Sequence, residues 1–249
     1  MKKYHFLFLV LFVSSSFLPL QAQKLEFLNS YWYSIQDTSK YSYTHYRIII
    51  EDDFQKSVRI FTKDSTLVYQ LLEKYAQKKQ PMTWTKVWYD DSGIKTRSEI
   101  YTEKKKRKET TQFFKNGERK SFIITQNDQL LEEIYFSEIG EEIPKPQLIQ
   151  ASPVGGIEGW NMYLGKNLIY PEDARFLGEE GTVYLHFYVS EEGKIEDIEI
   201  MNPEENHPSL NKEAFRVVSA YPYHWSPSKE NGITKKSEAR LPIRFKLTD

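Results

Sequence analysis

The chain has 249 residues, with 34 basic and 35 acidic side chains and a formal net charge of −1. That near balance speaks against nucleic acid and against strong attraction to anionic lipid. There is no cysteine, which excludes a disulfide scaffold, a thiol enzyme, a cysteine–zinc site and a lipid-modified cysteine.

At the N-terminus, Lys2 and Lys3 precede the apolar run "YHFLFLVLFV", followed by "SSSFLPLQA". A charged start, a short apolar stretch and a small residue at Ala22 describe a secretory signal peptide over 1–22, with the mature chain starting at Gln23. The alternative is an uncleaved inner-membrane anchor facing the periplasm, the only case in which the chain contacts a membrane. The run is interrupted by Ser14, Ser15, Ser16 and Pro19 and is shorter than the roughly 20 apolar residues a span needs, which favours cleavage. Residues 1–22 hold two lysines and no acid, so 32 basic and 35 acidic side chains remain after cleavage, a net charge of −3.

Residues 23–145 read as a β-rich, repeat-like domain. "HYRIII", "SVRIFT", "WTKVWY", "TTQFF" and "KSFIIT" are β-branched and aromatic runs separated by polar turns. Tyr89, Phe113 and Phe136 each stand four residues before a glycine, at Gly93, Gly117 and Gly140. That period fits one β-hairpin per repeat, with glycine at the turn where φ is positive. The basic run "EKKKRKE" at 103–109 reads as a solvated strand end or turn. "TLVYQLLEKYAQKKQ", 66–80, is the one strong helical window, with Val68, Leu71, Leu72 and Tyr75 on one face. The hairpin period resembles the MORN-like repeats of the YwqK antitoxin-component type. The alternative is a plain antiparallel meander.

"EEIPKPQLIQASPVGG", 141–156, brings three prolines and two closing glycines, and 146–155 reads as a linker. The compact domain follows at 156–249. Ile157, Trp160, Leu164 and Leu168 recur at helical spacing. Pro171 opens a short helix with Glu172 and Asp173 in its first turn, and Gly178 ends it. Val183, Leu185, Phe187 and Val189 alternate with Thr182, Tyr184, His186 and Tyr188, a strand with one apolar face. "SEEGK" turns the chain, and Ile198 and Ile200 continue that face. Pro208 opens a helix carrying Leu210, Ala214, Val217 and Tyr221. "RLPIRFKL" alternates again, with Leu241, Ile243, Phe245 and Leu247 inward and Arg240, Arg244 and Lys246 outward. The fold class is therefore α+β: a C-terminal three-stranded antiparallel sheet covered by helices, preceded by a mostly antiparallel hairpin-repeat domain.

Tyr170-Pro171, Ala174, Gly178, Gly181, Val183, Leu185, Phe187, Val189, Gly193, Ile195 and Asp197 stand in a familiar order. Trp225-Ser-Pro227, Asn231-Gly232 and Pro242-Ile243-Arg244-Phe245 complete it. Over 152–247 this pattern resembles the C-terminal domain of the energy transducer TonB and its relatives. The resemblance implies a periplasmic domain that grips an extended peptide of an outer-membrane receptor or another envelope protein. It implies no enzyme, cofactor or metal. A classical transducer also has an uncleaved anchor and a long Pro-rich spacer. This chain has a β-repeat domain in their place, so an adaptor is the first reading and a membrane-anchored energy transducer for TonB-dependent transport the alternative.

The residues placed at the partner surface are Arg240, Leu241, Ile243, Arg244, Phe245 and Lys246 on the last strand, with the stripe Tyr184 and Tyr188 as a second face for a partner or a second copy. The first reading of that stripe is packing beneath the N-terminal domain or a helix. Pro242 favours an edge position, since it has no N–H to give to a ladder. His186 and His224 are the only histidines placed for a shared site, and no Ser/His/Asp spacing, phosphate loop or HExxH accompanies them.

Overall fold

The computed structural model describes residues 22–76 and 80–247, so residues 1–21 of the expected leader 1–22 lie outside the described residues. The N-terminal region is one antiparallel sheet. Its strands are β1 (Ala22–Leu28), β2 (Ser34–Ile35), β3 (His45–Glu51), β4 (Gln55–Thr62), β5 (Leu67–Tyr75), β6 (Pro81–Tyr89), β7 (Lys95–Thr102), β8 (Arg107–Phe113), β9 (Arg119–Gln126), β10 (Gln129–Phe136) and β11 (Glu142–Ile143). The order across the sheet is β11-β10-β9-β8-β7-β6-β5-β4-β3-β1-β2, so nearly every strand pairs with its neighbours in sequence.

No α-helix lies between 22 and 143 among the described residues. Much of the stabilisation therefore falls to cross-strand pairs. Tyr46 stacks on Phe61 with ring centroids 5.2 Å apart, Trp84 on Tyr101 at 5.4 Å, and Tyr69 meets Trp88 at 5.4 Å. The aromatic content is spent on this ladder. Leu28, Ile60 and Val68 form a small buried cluster beneath Trp32 and Tyr69.

The three repeat glycines do sit at hairpin turns, with φ of 79°, 88° and 82°. Each turn is the same five-residue unit. The first residue's N–H donates to the fifth's carbonyl, and the fourth's N–H donates back to the first's carbonyl, as in Asp90–Ile94, Phe114–Glu118 and Ser137–Glu141. Two further copies lack glycine. Thr62–Thr66 places Ser65, and Asn29–Tyr33 places Trp32, at the positive-φ position, with φ of 68° and 66°. By register all five turns lie at one end of the sheet. The basic run 103–109 lies at the opposite end, where Glu103–Lys105 makes a tight turn before β8.

The helical expectation for 66–80 is wrong over its described part: Leu67–Tyr75 is strand β5. Its apolar residues fit both periods. Pairing on both sides, to β4 and to β6, decides for the strand because it uses every backbone group that an isolated amphipathic helix would satisfy internally.

The C-terminal module begins earlier than the expected boundary. β12 (Leu148–Ile149) lies inside the segment read as linker and pairs with β15 (Ser228–Glu230), which pairs with β16 (Ile233–Lys235). Then follow α1 (Gly156–Asn167), α2 (Glu172–Leu177), β13 (Gly181–Val189), β14 (Ile195–Ile200), α3 (Pro208–Ser219) and β17 (Ser237–Phe245). The main sheet is β14-β13-β17, antiparallel throughout. Val183, Leu185, Phe187, Val189, Leu241, Ile243 and Phe245 from the sheet meet Trp160, Ala174, Leu210, Ala214, Val217 and Val218 from the helices in one buried core.

Ile157 departs from the expected apolar face of α1. It is 65% exposed, because the helix's first turn overhangs the core while Trp160, one turn on, fills it.

Candidate functional site

β17 is the edge of the main sheet, and the direction of its free groups follows from its partner. The N–H of Tyr184 donates to Asn202 Oδ1 at 2.9 Å, and its carbonyl accepts from Met201 N–H at 2.8 Å. Both groups therefore point to the β14 side. Tyr184 stands opposite Pro242, so this is a non-hydrogen-bonded pair, and the backbone of Pro242 faces away from β13. Glu238, Arg240 and Arg244 share that phase. Their N–H and C=O groups line the open edge, and Pro242 leaves one donor missing in the middle.

The side chains divide as the alternation requires. Leu241, Ile243 and Phe245 are buried in the core and fix the strand from beneath, while Arg240, Arg244 and Lys246 are exposed. The first group supports the edge and offers nothing to a guest except backbone rigidity. Beside the first half of β17 runs a groove of about 640 Å³, lined on its far wall by Leu148, Ile149 and Ile157 and at its floor by Trp225.

The second expected face, Tyr184 and Tyr188, is partly occupied. The Asn29–Tyr33 turn of the N-terminal sheet docks there. Asn29 Nδ2 donates to Met201 O at 2.7 Å, and Tyr31 O–H donates to Glu199 Oε2 at 2.5 Å. Tyr31 Oη also lies 3.1 Å from His186 Nδ1. Since the phenol proton goes to Glu199, the imidazole N–H is the donor to Tyr31. Burial, and then the Glu199 carboxylate, pushes the Tyr31 phenol well above its ordinary range. His186 in turn meets Tyr188 edge-on at 5.2 Å, and Lys236 Nζ covers the Tyr188 ring at 4.8 Å. The turn thus reaches His186, which stands between the two tyrosines, while Tyr184 stays 39% exposed.

His224 sits elsewhere, with Nδ1 3.0 Å from the Glu192 carbonyl, so the two histidines serve separate structural contacts. Among the described residues no group of three or more His, Cys, Asp or Glu is arranged to hold a metal ion.

Several motif residues make contacts that hold the fold. Gly178 takes φ of 71° and closes α2. Gly181 leaves room for the Asn206 side chain, which bonds Thr182 O. Tyr170 meets Phe245 edge-on at 5.7 Å, and Trp225 meets Phe187 at 5.2 Å. Sequence reading missed the docking residues Asn29 and Tyr31 and the groove residues Leu148, Ile149 and Ser237. The triplet Tyr31-Trp32-Tyr33, too aromatic for an exposed turn, was the available signal for the first.

No curated protein matches the chain. The family model that describes the Gram-negative bacterial TonB protein C-terminal matches residues 166–247, the stretch from the end of α1 through β17. Residues 166–247 are thus similar to a TonB C-terminal domain, and in this chain they follow an eleven-stranded antiparallel sheet.

Proposed function

We propose that this TonB-like envelope protein is a periplasmic adaptor whose C-terminal domain receives an extended peptide of an outer-membrane receptor, or of another envelope protein, by strand addition to β17. The observation that carries the reading is the phase of that edge. The N–H and C=O groups of Glu238, Arg240 and Arg244 are turned away from β13, and an incoming strand pairs with such groups. Arg240, Arg244 and Lys246 lie alongside the guest and favour an acidic one. The family supports an interaction domain rather than an enzyme, and a setting in the envelope facing the periplasm.

Arg244→Pro tests this. It removes an outward N–H and leaves the bonds to β13 untouched, as Pro242 already does two residues away. Capture of a purified TonB-dependent receptor by its periplasmic N-terminal segment should fall at least tenfold, with the melting temperature within a few degrees of wild type. Undiminished capture by a folded variant would move the binding surface off β17.

A further inference from the structure

We infer that the groove beside β17 is a specificity pocket for an acidic peptide bearing a bulky apolar residue, with the Trp225 indole N–H and Ser237 Oγ waiting for oxygen acceptors on that peptide. The inference rests on strand addition at β17 and adds to it what the guest must be. Three features of the groove converge.

The first is its apolar wall. Leu148, Ile149 and Ile157 are 68%, 59% and 65% exposed around one concavity, the first two on β12 and the third at the start of α1. Single exposed apolar side chains are ordinary, but a contiguous group rimmed by polar residues marks a contact surface. The overhang of α1 and the extra strand β12 both build this wall.

The second is a pair of unsatisfied polar atoms. Trp225 is 5% exposed, and its ring is held by Phe187 and Trp160. Its Nε1 is buried without a hydrogen-bond partner, and so is Ser237 Oγ. Both residues line the groove. An indole N–H is a donor only. Taken from water and left unpaired it destabilises the free protein, and native structures rarely keep such a group without a use. A peptide carbonyl or carboxylate oxygen is the acceptor that would satisfy it.

The third is charge. Lys229, Lys235, Lys236 and Arg240 line the groove against Glu230 and Glu238. Lys235 is paired with Glu230, and Lys236 with Glu196 at 2.7 Å. Lys229 and Arg240 have no ion pair among the described residues. Glu238 lies 3.6 Å from His186 Nε2. Glu238 offsets one of these cations, since His186 beside it is charged only if protonated, and the net positive charge that remains at the rim favours a guest with carboxylates. A strand paired along Glu238–Arg244 carries one of its ends into this pocket.

The test uses the full chain from Gln23 and fluorescence polarisation. The probe is a labelled, acetylated pentapeptide alternating glutamate and leucine, and the control alternates lysine and leucine. The glutamate peptide should bind at least tenfold tighter at low salt, with the gap narrowing as salt screens the rim. Trp225→Phe keeps a ring and removes the donor. It should weaken binding about fivefold, the worth of one hydrogen bond, and should melt lower than wild type because the smaller ring leaves a void beside Phe187 and Trp160. If Trp225→Phe fails to fold, Ser237→Ala carries the same expectation. Equal binding of the two peptides, no binding of either, or unchanged affinity in folded Trp225→Phe and Ser237→Ala overturns the pocket. Arg244→Pro separates the two levels. If it abolishes binding while Trp225→Phe does not weaken it, strand addition stands and the pocket falls. If it has no effect, strand addition falls and the pocket inference falls with it.

Discussion

Gly193 and Trp225 are locked together through their main chains. The Trp225 N–H donates to the Gly193 carbonyl at 2.7 Å, and a β-carbon on Gly193 would overlap the Trp225 carbonyl oxygen. Gly193 also takes φ of 83° at the β13–β14 turn. This contact lets the segment after α3 cross beneath the hairpin and set Trp225 into the core. Gly193→Ala combines an unfavourable backbone conformation with a clash against main chain that has no flexible end to yield. We predict a loss of about 2–4 kcal/mol, read as a lower urea midpoint of the C-terminal module.

The Tyr31 contact predicts a pH-dependent dock. The folded-state pKa of Tyr31 is raised, so its stabilising contribution is full below about pH 10, the ordinary phenol value, and is lost as pH rises above it. Tyr31→Phe should cost about 1 kcal/mol at neutral pH, since the site is partly exposed and screened. The difference between wild type and Tyr31→Phe should shrink as pH is raised past 10. A difference that is constant or grows with pH would show that the phenol proton does not hold this contact.

β12 pairs with β15 and Ser152 bridges Ser226, and from these pairings we propose a working boundary of the module before residue 148. A fragment 146–249 should therefore unfold in one cooperative transition, with near-UV signals from Trp160 and Trp225. A fragment 156–249 lacks one strand of the small sheet and should melt lower. Equal melting of the two would return the boundary to 156.

Export is testable directly. Cleavage after Ala22 would leave Gln23–Leu28 of β1 intact, so the first strand survives maturation. We predict a mature N-terminus at or near Gln23 and recovery in the soluble fraction. Mass spectrometry finding Met1 in the membrane pellet would instead support the anchored transducer.

The main sheet of the C-terminal module was legible because β13 and β17 each carry four alternating apolar residues, enough to set a face and a register. The repeat glycines were legible for a similar reason: only a positive-φ position asks for glycine at a fixed place in each hairpin. The copies with Ser65 and Trp32 escaped because no glycine marks their positive-φ position, although backbone N–H groups donate to the Thr62 and Asn29 side chains there as they do to Asp90 and Ser137 in the glycine turns. β5 was misread because Val68, Leu71, Leu72 and Tyr75 satisfy a helical period as well as a strand one. β12, β15 and β16 are two or three residues long, too short to show any period. The edge position of β17 was legible from Pro242, whereas the groove was not, since its sides come from segments about 80 residues apart.

The docked turn has a mechanical consequence. β11 and β2 are the two margins of the long sheet, and both lead to the same module. At β11 the attachment is covalent, across residues 144–147. Beside β2 it is made of hydrogen bonds from Asn29 and Tyr31. The molecule is thus a strap fastened at both ends, once with a rivet and once with a clasp. Tension on a guest strand at β17 would be shared between the two fastenings until the clasp let go. The strap would then swing open about its rivet, lengthening the reach of the module with every strand still paired.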